Sequence, residues 1–263
     1  MPPKGISAEG IAGMLTHSMP TSTRRASRVR VFELGRVARR DAAVLAGDLT
    51  VAGIDQPMRL SGLAYGSAEA MQWGVKERAV DFFDLKGDVQ ALLAPRVPVF
   101  EAADHPAMHP GRSARVMLDG RVIGHVGELH PRWRQGYELP QAPILFELDL
   151  AAVLSQPVPV FEAISRHQAA SRDLALVVPE TATHDGLIKA LKADPSGLVQ
   201  SATLFDVYKP AQPAGDMAAG ERSLAVRLGL LDADAMLTEE RIDAAVSAAI
   251  ARAVQSQGAR LRA

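Results

Sequence analysis

Asp119-Gly120 stands between two runs of alternating residues, Arg112 to Leu118 (RSARVML) and Arg121 to Val126 (RVIGHV). A two-residue connection of this kind requires positive φ at both positions, which Asp-Gly tolerates, so the runs fold back on each other as an antiparallel pair. This is the strongest local signal in the chain, and the segments around it follow suit. Val29 to Val37 alternates, with Val29, Val31 and Glu33 opposing Arg30, Phe32 and Leu34, and Gly35 is expected to mark a bend or bulge. Arg59 to Tyr65 and Ile144 to Leu150 read as further strands. Between them, Leu85, Val89, Leu92 and Leu93 share one helical stripe that Pro95 ends, and Asp81 or Asp84 suits the N-terminus. Antiparallel strands with one or two helices make the first region an α+β sheet domain.

Two spacings within it invite a metal and do not earn one. Asp84 and Asp88 are four apart, but no third ligand stands at a supporting distance, and capping explains them better. His105 and His109 have the helical spacing of a zinc pair, yet each precedes a proline, which drives it out of the α region. No catalytic and no metal-binding residue is assigned. Residues 1–28 read as a loose N-terminal arm, and Arg24, Arg25, Arg28 and Arg30, at its end and at the start of the next strand, form a basic patch that reads as a solvated face.

At 263 residues, two domains are the better expectation. The Pro-rich run Gln156-Pro157-Val158-Pro159 divides them, giving a sheet domain over 29–156 and a second domain over 165–263. There are no cysteines, the N-terminal stretch lacks the apolar centre of a signal peptide, and no apolar run approaches membrane-spanning length. A cytoplasmic location without membrane contact is expected. The net formal charge of −1 argues against a free-standing nucleic-acid binder, which is usually basic.

From Arg172 the elements run strand, helix, strand, strand, helix, strand, the split βαβ order of a ferredoxin-like fold. Both helices then cover one sheet face. Alternation puts Leu174, Leu176, Val178, Phe205, Val207, Leu224, Val226, Leu228 and Leu261 on that covered side. The other face receives Asp173, Ala175, Asp206, Tyr208, Ser223, Ala225, Arg227, Arg260 and Arg262. Leu204 falls with Asp206 and Tyr208, away from Phe205 and Val207. Small residues leaving room, an aromatic for stacking and arginines at the rim suit single-stranded RNA. A solvated sheet face fits the periodicity as well, and acidic residues match lysine and arginine almost one for one in this region.

The chain also resembles a known family, the C-terminal part of the bacterial phenylalanyl-tRNA synthetase β subunit. The resemblance rests on VRVFELGRV (29–37), QWGV (72–75), DFFDLKGD (81–88), HPGRSA (109–114), IGHVGELHP (123–131), SRDLA (171–175), LFDVY (204–208) and GARLR (258–262), in family order. It implies that the first region is a class II synthetase-like domain without an active site, packed on a catalytic α subunit in an (αβ)2 tetramer. It implies that the tail is a ferredoxin-fold anticodon-binding domain for phenylalanine tRNA. The family's RNA-facing positions match Ala175, Asp206, Tyr208 and Ser223, with Tyr208 where a residue stacks on an anticodon base; Arg227, Arg260 and Arg262 would support that face. ATP and Mg2+ would be used by the whole enzyme at sites outside this chain, which alone is expected to be inactive. Three departures stand out: residues 1–28 only loosely echo the family and the apolar helix expected next is absent, Pro210 replaces a usual glycine, and the loop from Ala211 to Ala219 is longer. The competing reading is a free-standing ferredoxin-like protein that binds another protein or a small molecule.

Overall fold

A computed structural model describes residues 27–161, 164–210, 212 and 217–262. Most of the N-terminal arm, including Arg24 and Arg25, and most of the loop after Pro210 lie outside the described residues. The chain divides into two compact units, Met1–Pro159 and Val160–Ala263.

Unit 1 contains β1 (Arg28–Arg36), β2 (Arg39–Arg40), β3 (Ile54–Asp55), β4 (Met58–Gly66), α1 (Phe82–Leu93) and β5 (Val99–Ala102). It continues with β6 (Met108–Leu118), β7 (Arg121–Leu129), α2 (Pro131–Gly136), β8 (Ile144–Asp149) and α3 (Leu150–Leu154). Six strands form one antiparallel sheet in the order β1-β4-β8-β7-β6-β5. Asp119 and Gly120 adopt φ 49 and 76 between β6 and β7, so the hairpin turns as its sequence requires. Sequence periodicity did not reveal β2, β3 or β5, which are short and lie in polar or mixed stretches. Gly35 is a correction: β1 pairs with β4 in continuous register from Arg28 to Arg36, with no bulge at the glycine.

The sheet of unit 1 is buried on both faces. On one side Leu60, Ala64, Val116, Val126, Phe146 and Leu148 pack with Leu85, Val89 and Leu93 of α1. On the other, Leu63, Tyr65, Met108, Leu129 and Leu145 cluster with Trp133 and Tyr137 of the α2 region. Central strand β4 is accordingly buried from Leu60 to Gly66 with no alternation.

Unit 2 contains β9 (Ala170–Pro179), α4 (His184–Lys192), β10 (Val199–Tyr208), β11 (Glu221–Leu230), α5 (Glu239–Gln257) and β12 (Arg260–Leu261). Its four-stranded sheet has the order β10-β11-β9-β12, every pair antiparallel, which is the ferredoxin-like topology. Thr183 and Thr238 cap α4 and α5 by accepting the N–H groups of Gly186 and Arg241. Gly258 ends α5 in the left-handed conformation at φ 61, a position that an L side chain rarely adopts. Both helices pack on one face of the sheet, where Leu174, Leu176, Val178, Leu224, Val226 and Leu228 meet Leu187, Leu191, Ile242, Ala249 and Ala253.

Candidate functional site

Strand register defines the other face of the unit 2 sheet row by row. One row places Thr203, Arg227 and Asp173 across β10, β11 and β9. The next places Asp206, Ala225 and Ala175 side by side, and Arg262 joins it by donating its N–H to the Ala175 carbonyl at 2.8 Å. A third holds Tyr208, Ser223, Val177 and Arg260. The expected quartet Ala175, Asp206, Tyr208 and Ser223 therefore does come together on one face, within two adjacent rows. Both helices of unit 2 pack on the opposite face.

Its middle is a shallow trough, because Ala175 and Ala225 carry only a methyl group. Arg262 extends over the sheet from the β12 edge, and its guanidinium carbon lies 5.1 Å from the ring centre of Tyr208 on the far strand. The Tyr208 side is 41% exposed, whereas Ser223 is 4% and Val177 0% exposed in the same row. Ser223 is thus a buried hydroxyl at the floor, not an outlying one. Alternation gave no warning of the burial of Val177, since burial on this face depends on what lies over it.

The arginines expected to support the face differ in their freedom. Arg227 donates two hydrogen bonds to Asp173, both at 2.7 Å, and is already fixed and neutralised. That guanidinium holds the Asp173 carboxyl below the usual carboxylate range. Arg260 is bound to Glu221 at 2.8 Å. Arg262 makes the aromatic contact.

The structure corrects the facing of Leu204 and Phe205. Leu204 pairs with Val226 and Asp206 with Ala225, so β10 has one extra residue, Phe205, in a β-bulge. Leu204 packs against the helix-side core. Phe205 instead lies under the Arg227 guanidinium, 5.4 Å from its ring centre, and is 54% exposed. It belongs to the uncovered face. Ala202 and Leu204 pack on the core, whereas Val207, in register with Leu224 beyond the bulge, stays 51% exposed on this edge strand.

Unit 1 absorbs its own candidates. Asp81 accepts the N–H groups of Phe83 and Asp84 while Asp84 accepts that of Asp81, a reciprocal cap for α1. Asp84 also receives two bonds from Arg78, at 2.6 and 2.7 Å, and this arginine is the main cause of its lowered pKa. Asp88 is paired with Arg30 at 2.8 Å, so Arg30 points at α1 and is no member of a free basic patch. His109 lies in β6 and His105 in the turn before it, and the His105 ring stands 4.8 Å from that of His125. No group of three or more metal-binding side chains occurs among the described residues.

Residues 9–150 match the family model described as phenylalanyl tRNA synthetase beta chain CLM domain. The chain belongs to the phenylalanyl-tRNA synthetase β-chain family. Residues 165–262 match a second model, the ferredoxin-fold anticodon binding domain. Among curated relatives, the phenylalanine–tRNA ligase beta subunit of Ralstonia nicotianae is 48% identical over 258 residues, covering 96% of this chain and 32% of that protein. The beta subunits of Cupriavidus pinatubonensis and Dechloromonas aromatica are 46% and 42% identical, over 96% and 95% of this chain and 32% and 31% of theirs. The chain thus spans about a third of the length of these relatives. No helix among the described residues is long and apolar enough to cross a membrane. Asp84 and Asp88, the carboxylate pair with a metal-like spacing, are each engaged by an arginine.

Proposed function

We propose that this chain acts as the C-terminal part of a phenylalanine–tRNA ligase β subunit, with the uncovered face of unit 2 binding the anticodon region of phenylalanine tRNA. Tyr208 offers the stacking surface, Asp206 an acceptor for base N–H groups, Ser223 a hydroxyl at the floor, and Ala175 the room a base needs. Arg262 brackets Tyr208, while Arg227 and Arg260 keep their neighbours in place. Unit 1 serves as a non-catalytic class II-like platform for the catalytic α subunit in an (αβ)2 tetramer in the cytoplasm. ATP and Mg2+ are handled outside this chain, and the chain alone does not aminoacylate.

One observation carries the reading: Ala175, Asp206, Tyr208 and Ser223 lie within two adjacent rows of the sheet face opposite α4 and α5. The near-neutral charge fits recognition by stacking and directed hydrogen bonds rather than by phosphate neutralisation. Tyr208→Ala is expected to weaken binding of the phenylalanine tRNA anticodon stem-loop by about 1–3 kcal/mol at fixed salt. Equal binding by variant and wild type, measured by fluorescence anisotropy, would remove the quartet from the interface.

A further inference from the structure

Phe205 is the residue of this face that neither alternation nor the family quartet accounts for. A sheet in which β10 ran regularly would turn it into the helix-side core, where an aromatic ring is best sheltered from water. The bulge between Leu204 and Asp206 turns it out instead, and half of its surface stays exposed. Arg227, which donates two hydrogen bonds to Asp173 on the neighbouring strand, lies over it. The same construction recurs two rows along, where Arg262 lies over Tyr208. Because Asp173 already neutralises Arg227, this guanidinium contributes a flat surface more than a phosphate-attracting charge.

We propose that the face carries two stacking positions for neighbouring unpaired bases, Tyr208 for one and Phe205, bracketed by Arg227, for the next. The inference rests on the anticodon-binding reading above. Phe205 and Tyr208 are three residues apart and share a face only because of the bulge; three extended residues span at most about 10 Å, which neighbouring nucleotides reach when their bases are splayed rather than stacked on each other. Asp206, exposed and between Phe205 and Tyr208 along β10, offers its carboxylate as an acceptor to either base.

The test uses the full chain and a set of phenylalanine tRNA anticodon stem-loops in which one loop base at a time is replaced by an abasic site. Phe205→Leu, which keeps apolar bulk without a ring, should weaken binding of the intact loop about five- to a hundredfold, the range for one lost stacked base. Phe205→Tyr should bind as wild type does. One abasic position should erase the difference between Phe205→Leu and wild type, and a neighbouring position should erase that of Tyr208→Leu. If Phe205→Leu binds normally while Tyr208→Leu is weakened, there is a single stacking position, and this proposal fails while the anticodon reading stands. If both variants are silenced by the same abasic position, Phe205 acts through Tyr208 and the second position is refuted. If neither variant weakens binding, the anticodon reading itself fails. Equal thermal unfolding midpoints of the leucine variants and wild type separate these outcomes from loss of fold.

Discussion

The two sheets differ in how many of their faces are buried. In unit 1 the six-stranded sheet lies between two apolar clusters, and its arginines and aspartates are spent on caps and ion pairs at the margins. In unit 2 a single cluster covers one face, and the other presents aromatic rings under guanidinium groups beside alanine methyls. Phe205, Asp206 and Tyr208, which folding leaves exposed on that face, are free to carry recognition. The same residue types have different meanings in the two units: Asp84 closes a helix turn, while Asp206 stands exposed in a strand with no such task assigned to it.

The largest effect should come from the doubly covered sheet. Leu148 on β8 is fully buried against α1, and Leu148→Ala should destabilise unit 1 by about 2–5 kcal/mol through lost apolar contact and the cavity left behind. Trp73 and Trp133 both lie in unit 1, so tryptophan fluorescence during urea unfolding reads that unit selectively. An unchanged midpoint would mean that the sheet is not packed on both sides.

In unit 2, the polar side chain on which folding depends lies away from the uncovered face. The Asp194 carboxylate, 3% exposed, accepts the N–H groups of Ser196, Leu198 and Val199 and the Ser196 hydroxyl. Burial alone would raise its pKa, but these donors outweigh it and hold the carboxyl below its ordinary value. Asp194→Ala should cost about 1–3 kcal/mol by stranding those donors at the start of β10. Asp206→Ala should leave stability within about 0.5 kcal/mol. Far-UV circular dichroism during thermal unfolding separates the two, and equal losses would erase the division of labour between the faces.

These contrasts show which parts of the molecule were legible beforehand. Asp119-Gly120 announced its hairpin because few residues tolerate positive φ at both turn positions, and the choice of Asp81 or Asp84 for the start of α1 resolves into a reciprocal cap that uses both. Alternation alone grouped Ala175, Asp206, Tyr208 and Ser223, since the period of two holds on β9 and β11. It failed at Phe205, because one inserted residue reverses the phase of everything before it. The ion pair between Arg30 and Asp88 spans distant parts of the sequence, so nothing in the local charge cluster revealed it.

A smaller effect should come from acid acting on unit 1. Burial, and then the positive charges of His105, Arg59 and Arg115, push the pKa of His125 below its ordinary 6.5. The unfolded chain therefore takes up this proton first. The associated stability is fully present above about pH 6.5 and is lost as pH falls below that value. The tryptophan-detected midpoint should decline more steeply between pH 7 and 5 in wild type than in His125→Gln. Parallel declines would assign the acid sensitivity to other groups.

The most direct test of the central claim is a methyl NMR titration of the alanine-labelled chain with the phenylalanine tRNA anticodon stem-loop. Ala175 and Ala225 lie in the trough of the uncovered face, whereas Ala245, Ala249 and Ala253 lie in the helix-side core of the same unit. The account predicts that the Ala175 and Ala225 methyl signals shift on binding while those of Ala245, Ala249 and Ala253 stay in place. Shifts confined to alanines of unit 1, or binding that leaves Ala175 and Ala225 unmoved, would contradict it.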